Sequence, residues 1–97
     1  MMLVKEHRNN SSLIISICDS DLIGKKFEEN KLELDLTTGF YDGERMIENK
    51  ILKLISECTC MMLIGKKSVS FAIEKGLANK ENIKEIHNIP HLQILLN

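Results

Sequence analysis

The sequence is poor in the residues that mark several specialised classes of protein. Its 97 residues include no tryptophan, one tyrosine, three phenylalanines and a single proline, so aromatic platforms for stacking on bases are few. No apolar run approaches the roughly 18 residues that a membrane span needs, and the charges of Lys5 and Glu6 come too early for a secretory signal. The cysteines are odd in number, which does not suit a disulfide framework, and each lies in an apolar stretch: Cys18, Cys58 and Cys60. We therefore expect a cytoplasmic protein with free thiols and no membrane association.

An excess of charge of either sign is also lacking. Thirteen lysines and arginines oppose fourteen aspartates and glutamates, for a formal net charge of −1. Because nucleic-acid affinity comes largely from neutralising phosphates, this balance argues against a nonspecific RNA or DNA coat protein and leaves only a local basic patch. The hydrophobic fraction of 43% is enough for one compact core, so residues 1–97 are expected to form a single domain.

Apolar periodicity predicts an α+β fold. Helices are predicted at residues 44–57, where an apolar stripe recurs with a 3.6-residue period, and from residue 67 or 68 to 75. Asp19 is expected to cap a short helical turn, and Pro90 to separate the last two strands, because proline is excluded from central strands. The strands are predicted at residues 2–8 and 13–18, which form a hairpin, and at 31–36, 59–64, 84–87 and 92–96. We expect a two-layer sandwich: a mainly antiparallel sheet with two principal helices on one face.

The segment Gly65-Lys66-Lys67-Ser68 is the strongest candidate for an anion site. It lies where a predicted strand passes into a helix, and free N–H groups at a helix N-terminus beside lysines attract phosphate. A nucleotide-hydrolysing phosphate loop is excluded, because that motif needs a glycine at position 60, which is cysteine. The segment is thus either a weak phosphate contact, for example to an RNA backbone, or a turn glycine followed by solvated lysines.

The loop at residues 39–45 is the second candidate, because it places two adjacent aromatics between glycines. In one interpretation Phe40 or Tyr41 fills the end of the core, and Asp42 and Gly43 make the turn into the helix. In the other, Tyr41 is an exposed docking or stacking residue, with Gly43, Glu44 and Arg45 beside it as binding residues.

The third candidate is the corner at Pro90 and His91. His91 is either a ligand contact or a histidine that hydrogen-bonds nearby backbone. An enzyme would require His91 to meet Asp42 or Glu44, and no catalytic motif of known spacing is present. The chain offers four side chains of the types that bind zinc, but their spacing is poor for a zinc site: Cys58, Cys60, His87 and His91. We predict no catalytic residue, no metal and no cofactor.

Four short motifs in one order resemble a known family. They are Phe27 before Leu32-Glu33-Leu34, then Phe40-Tyr41-Asp42-Gly43-Glu44, then Leu63-Ile64-Gly65-Lys66, then Ile89-Pro90-His91-Leu92-Gln93. Their order and spacing, over nearly the whole chain, are similar to the small archaeal proteins of domain-of-unknown-function family four-two-four. The resemblance implies a two-layer α/β sandwich and leaves function open, with a role near RNA or translation suspected. Asn88 stands where the family pattern has glycine, and Lys66 where an acidic residue often follows Gly65.

Three functions follow as hypotheses. The first is a non-enzymatic interaction module for RNA or a ribonucleoprotein, with its contact surface on the three turns described above. The second is a small metabolite-binding protein or enzyme that uses His91 with Asp42 or Glu44. The third is a structural subunit of a larger assembly, with residues 92–96 as an unpaired edge strand. The oligomeric state does not follow from the sequence.

Overall fold

The structure, a computed structural model, describes residues 2–96. The chain order of its strands and helices is β1 (Met2–Asn9), β2 (Ser12–Asp19), β3 (Lys26–Glu29), β4 (Leu32–Asp35), β5 (Glu44–Arg45), α1 (Glu48–Ile55), β6 (Cys60–Ile64), α2 (Lys66–Glu74), β7 (Lys84–Ile86) and β8 (Ile89–Leu95). Six strands form one sheet in the order β5-β1-β2-β6-β8-β7, and β3 pairs with β4 as a separate hairpin. This confirms a mixed α/β fold with a mainly antiparallel sheet and two helices.

One strand pair of the sheet is parallel. Neighbouring strands run antiparallel except β2 and β6, which pair in parallel with Ile15 opposite Met61 and Cys18 opposite Ile64. The carboxyl ends of these two strands therefore lie side by side, at Asp19 and Gly65. Ligands of α/β sheets bind outside such ends.

The larger core lies between the sheet and both helices. Ile51 and Ile55 of α1 and Phe71 of α2 are buried in one cluster with side chains from every second position of the central strands. This alternation follows from the two-residue period of a strand. The strand residues of this cluster are Val4, Leu13, Ile15, Ile17, Met61, Leu63, Leu92 and Ile94.

A second, smaller core lies on the opposite face of the sheet. Cys18 and Ile64, which point away from the helices, are buried there against Leu36 and Tyr41. Partly buried side chains of the β3–β4 hairpin, Phe27 and Leu34, pack against the same cluster. The hairpin and the loop at residues 36–43 thus cover part of the second face, and the predicted two-layer description stays a prediction.

Helix α1 begins four residues later than predicted. Glu44 and Arg45 pair with Val4 and Leu3 of β1 as a short edge strand, because Gly43 brings the chain alongside β1. Ile47, which the predicted helix at residues 44–57 would include, precedes the observed helix and is 73% exposed. The predicted helix includes the residues of this strand because residues 44–47 contain no helix-breaking residue.

Two further predictions about the backbone were wrong. Pro90 lies inside β8 and pairs with Glu85 of β7. The strand accommodates proline there because the pairing of β8 with β6 ends at His91, so no ladder partner requires an N–H from Pro90. The sequence also does not predict strand β3, the partner of the predicted strand β4, because the four residues of β3 carry only one apolar side chain, Phe27.

Within the described residues, no helix is long and apolar enough to cross a bilayer.

Candidate functional site

A crevice of about 270 Å³ opens at the carboxyl ends of the parallel strands β2 and β6. Its walls come from three turns that are far apart in sequence. They are the turn after β2, the junction between β6 and α2, and the turn between β7 and β8. The lining residues are Asp19, Asp21, Leu22, Gly65, Lys66, Lys67, Asn88, Ile89 and Pro90.

Asp19 holds the helix wall of the crevice in place. Its carboxylate accepts hydrogen bonds from the backbone N–H of Lys67 (3.0 Å), the backbone N–H of Ser68 (2.8 Å) and the hydroxyl of Ser68 (2.7 Å). Asp19 and Ser68 are both buried. Asp19 therefore caps α2 across 48 residues of sequence, not the short turn that follows it, where its side chain makes no capping hydrogen bond.

This cap occupies backbone donors of the predicted anion site. The N–H groups of Lys67 and Ser68 that would have received a phosphate already donate to the Asp19 carboxylate. The remaining attraction for an anion comes from the side chains of Lys66 and Lys67, which are both exposed on the crevice wall. The helix terminus is thus a structural element, and the lysines are the groups that a ligand can reach.

Gly65 makes the close approach of β6 to Asp19 possible. Its backbone has φ 107° and ψ 159°, a region that is essentially restricted to glycine. A Cβ atom at this position would overlap the Asp19 carboxylate. Its N–H donates to the carbonyl of Pro90 at 2.8 Å, which ties the helix wall to the β7–β8 wall.

The β7–β8 wall is itself fixed by the β3–β4 hairpin. His87 and Asn88, with φ of 51° and 63°, form the two-residue turn that precedes Ile89. Positive φ at both central positions matches the twist of a tight hairpin. The ring of His87 hydrogen-bonds the carbonyl of Glu28, and its backbone N–H donates to the Glu29 carboxylate at 3.2 Å. The β3–β4 hairpin therefore fixes the turn that places Asn88 in the crevice wall.

The structure does not bring the loop at residues 39–45 into the crevice. Tyr41 is buried in the second core, as the core-filling interpretation predicts, so it is not an exposed docking residue. Burial raises the pKa of its hydroxyl. Gly43 lies where a Cβ atom would overlap the carbonyl of Val4, and Glu44 and Arg45 are exposed on the edge strand β5.

Phe40 is 36% exposed, and its ring packs on that of His7. The two rings are stacked with their centroids 3.9 Å apart, and Nε2 of His7 lies 3.2 Å from the hydroxyl of Ser16. That hydroxyl donates to the carbonyl of Phe40 at 3.1 Å. Burial and the nearby charge of Lys5 lower the pKa of His7, although its contact with the Phe40 backbone opposes this.

We expect the contact between His7 and the loop at residues 39–45 to make the free energy of unfolding depend on pH. Because the folded state holds the pKa of His7 below its ordinary value of about 6.5, the unfolded chain binds more protons as the pH falls through that value. The free energy of unfolding should therefore decrease from pH 7 to pH 5. Urea unfolding of wild type and His7→Phe tests this: the variant should lose less stability over that interval. Equal losses would contradict the assignment.

His91 is separated from both of its proposed acidic partners. It lines a different cavity, with Asn82, Lys84 and Gln93 among its neighbours, whereas Asp42 and Glu44 line a cavity beside β1. The sheet order places four strand-to-strand steps between β5 and β8, about 19 Å at the usual spacing. Burial, reinforced by Lys84, lowers the pKa of His91. The structure thus offers no constellation of His91 with Asp42 or Glu44.

The cysteines are placed as core residues. Cys58 lies in the helix-side core, Cys18 lies in the second core, and burial raises the pKa of Cys18 to about 12. Cys60 is buried and accepts a hydrogen bond from the side-chain amide of Gln93 at 3.6 Å. Among residues 2–96, no three His, Cys, Asp or Glu side chains are grouped to hold a metal ion.

Sequence reasoning found part of this crevice. It singled out Gly65, Lys66, Lys67 and Pro90, which the structure brings together, but it did not identify Asp21, Leu22 or Asn88. The available signal was the position of Asp19 directly after an apolar strand. That signal becomes informative only once β2 and β6 are known to be parallel neighbours.

One family model and one solved structure match this chain. A family model described as a protein of unknown function, DUF424, matches residues 7–96. A solved structure, the crystal structure of an uncharacterized conserved protein from Methanopyrus kandleri, is similar with a TM-score of 0.82 and 25% sequence identity. The similarity covers 99% of this chain and 93% of that chain. No curated protein matches the sequence.

Proposed function

The chain belongs to the DUF424 family, as the order of its motifs predicts, and we propose that it is a non-enzymatic binding module for RNA or a ribonucleoprotein. One observation carries the proposal. Two of the three segments that the sequence singles out contribute to one crevice although they lie far apart in the chain: Gly65–Lys67, and Pro90 without its neighbour His91. The proposed contact surface is this crevice and its rim.

The charges on the rim favour an anionic partner. Lys66 and Lys67 are exposed, and among the described residues neither forms an ion pair with a carboxylate. Of the two acidic side chains in the crevice, Asp19 is engaged by three hydrogen bonds from α2, which leaves Asp21. The formal charges of the crevice thus balance, but the Asp19 carboxylate is buried against the N-terminus of α2, and a ligand can contact two lysines and one aspartate. Phosphate is the anion that RNA presents.

The dimensions of the crevice favour a local contact over an enclosed ligand site. Its volume of about 270 Å³ is below the roughly 300–1,000 Å³ of ordinary small-molecule pockets. The apolar surface of Leu22, Ile89 and Pro90 offers a platform for one base or one side chain beside the lysines. A single unpaired nucleotide of an RNA loop, with its phosphate towards Lys66 and Lys67, fits this combination.

A cytoplasmic location is part of the same proposal. All three cysteines are free and buried, as is usual for proteins of reducing compartments. A partner connected with translation would be found in that compartment.

The experiment is a binding titration with a fluorescein-labelled single-stranded RNA at several salt concentrations. In the double variant Lys66→Gln/Lys67→Gln we expect weaker binding and a slope of log K against log[salt] that is smaller by about 1.4, or about 0.7 for each lost phosphate contact to a single strand. Lys26 is left unchanged, because it already pairs with Glu28 and Glu33.

The matched control is Lys50→Gln/Lys53→Gln, which removes two exposed lysines from α1 and changes net charge equally. It should lower the slope far less than the crevice variant does. Equal effects of the two variants would mean that only net charge matters. That result, or no binding of wild type to RNA at low salt, would contradict the proposal.

A further inference from the structure

We infer that the crevice selects guanine among the bases of RNA, with the carboxylate of Asp21 accepting hydrogen bonds from N1–H and the N2 amino group of that base. The inference rests on the proposed function, which supplies an unpaired nucleotide, and it adds which base that nucleotide carries. A free guanine nucleotide presents the same chemistry as guanine in RNA, namely this base joined through a ribose to a phosphate.

Asp21 is the carboxylate of the crevice that a ligand can reach. It is exposed on the crevice wall, whereas Asp19 is buried and engaged by α2. Although Lys66 and Lys67 line the same crevice, Asp21 forms an ion pair with neither of them, nor with any other side chain of residues 2–96. An unpaired carboxylate repels phosphate, so it lowers the affinity for any RNA that offers it no hydrogen-bond donor.

The turn that carries Asp21 is held on both sides. Before it, Asp19 is fixed by its three hydrogen bonds with α2. After it, Leu22 packs against the second core, and the N–H of Gly24 donates to the carbonyl of Leu36 at 2.8 Å. The backbone at Asp21 is therefore in position before a ligand arrives, which reduces the ordering cost of binding.

The hydrogen-bonding edges of the bases decide which of them suits this carboxylate. An ionised carboxylate only accepts hydrogen bonds, so a bidentate partner must present two adjacent N–H donors. On its Watson–Crick edge guanine presents them, at N1 and at the N2 amino group. Adenine and cytosine place one amino donor beside a ring nitrogen that accepts, and uracil places one N–H between two carbonyl oxygens. Each of these three bases therefore turns a lone pair towards the carboxylate.

The other walls of the crevice suit the rest of a guanine nucleotide. The apolar surface of Leu22 and Pro90 is available to the face of the base, and Lys66 and Lys67 lie beside it for the phosphate. The exposed side-chain amide of Asn88 has a donor for the O6 carbonyl. Because an amide both donates and accepts, it does not discriminate between bases. Asp21 is thus the specificity-determining residue.

The exposure of Asp21 limits the expected size of the preference. A good bidentate pair discriminates against the wrong base by roughly 5-fold to 150-fold. The lower end applies to this site, because water screens an exposed charge. We therefore expect wild type to bind a guanine-containing strand at least about fivefold more tightly than a strand with another base in its place.

Fluorescence anisotropy with labelled oligouridine RNAs that differ only in their central base tests the inference. The central base is guanine, adenine, cytosine, uracil or inosine, which is guanine without the N2 amino group. Wild type should bind the guanine strand most tightly, and the inosine strand should lose most of the preference. Asp21→Asn replaces one acceptor with a donor, so its preference for guanine should fall to about twofold or less and it should bind guanine and inosine alike.

Asp42→Asn is the matched control. It makes the same chemical change at an exposed aspartate that lies outside the crevice, and it alters net charge equally. It should keep the guanine preference of wild type. A guanine preference that Asp21→Asn leaves unchanged, or that Asp42→Asn reduces equally, would overturn the inference.

Guanosine and adenosine 5′-monophosphate distinguish the source of the base, in NMR titrations of wild type and Asp21→Asn. If RNA binds through Lys66 and Lys67 without a base preference, the guanine inference fails while the proposed function stands. If no RNA binds, but wild type binds the guanosine nucleotide more tightly than the adenosine nucleotide and Asp21→Asn does not, guanine recognition stands and the RNA partner fails. Binding of neither RNA nor a free nucleotide would overturn both.

Discussion

Replacing Asp19 with alanine is expected to lower the free energy of unfolding by about 2–4 kcal/mol. The carboxylate accepts three hydrogen bonds from Lys67 and Ser68 at 2.7–3.0 Å. Its loss removes the cap of α2, worth about 1 kcal/mol in a typical helix. It also leaves the buried hydroxyl and N–H of Ser68 without their acceptor, at about 1–3 kcal/mol for an unsatisfied buried group.

Urea unfolding monitored by circular dichroism gives the measurement, and Asp21→Ala is the matched control. Asp21 lies two residues away on the same turn and lines the same crevice, but it is exposed. Its replacement should change stability by less than about 0.5 kcal/mol. If Asp19→Ala were as stable as Asp21→Ala, the buried cap would have no energetic role.

Asp19→Asn separates charge from hydrogen bonding. The amide retains one acceptor oxygen for Ser68 but replaces the other with a donor that faces the N–H of Lys67. It also removes a negative charge from the positive end of α2, where an anion is stabilised. We expect a cost between those of Asp21→Ala and Asp19→Ala.

The elements with one strong local signal could be predicted from the sequence. The apolar run at residues 59–64 is the buried central strand β6, and the turn at residues 9–12, where Asn10 adopts φ 52°, closes the β1–β2 hairpin. Helix α2 ends near Gly76, whose φ of 71° suits the position after a helix. In each case side-chain periodicity and turn chemistry indicate the same structure.

Features that depend on contacts distant in sequence could not be predicted. The parallel pairing of β2 with β6 joins Ile14 to Cys60 and is a choice among several strand pairings that the sequence allows. The strand at Glu44–Arg45 exists only because β1 offers it an edge, and local propensity there is equally compatible with helix. The helix boundary was wrong for the same reason.

The residues of the candidate site also divide into those with a local sequence signal and those whose role depends on contacts distant in sequence. Glycine and proline indicated where the chain turns, so Gly65, Lys66, Lys67 and Pro90 could be identified before their proximity was known. The role of Asp19 could not, because a carboxylate that follows a strand is equally suited to cap the next turn or a helix elsewhere. Only the tertiary structure decides, and it assigns Asp19 to α2.

Gly65→Ala is expected to lower the free energy of unfolding by more than about 3 kcal/mol, the second large effect. Two costs combine. An alanine at φ 107° and ψ 159° is strained by about 1–3 kcal/mol, and its Cβ overlaps a carboxylate that three hydrogen bonds hold in place. Gly76→Ala is the matched control, because Gly76 also has positive φ, 71°, but a Cβ atom there meets nothing within 4 Å.

Gly76→Ala measures the cost of an ordinary left-handed alanine without a close contact, so the excess cost of Gly65→Ala reports the contact together with the greater strain at φ 107° and ψ 159°. Gly76→Ala should cost about 1–2 kcal/mol, the ordinary penalty for a left-handed alanine. If Gly65→Ala cost no more than that, the close packing of β6 on Asp19 would not contribute to stability.

The double variant Asp19→Ala/Gly65→Ala adds a second criterion. Because the two residues are in contact, its cost should be smaller than the sum of the single costs by about 0.5–3 kcal/mol. An additive double variant would mean that Asp19 and Gly65 stabilise the crevice independently, contrary to the geometry that joins them.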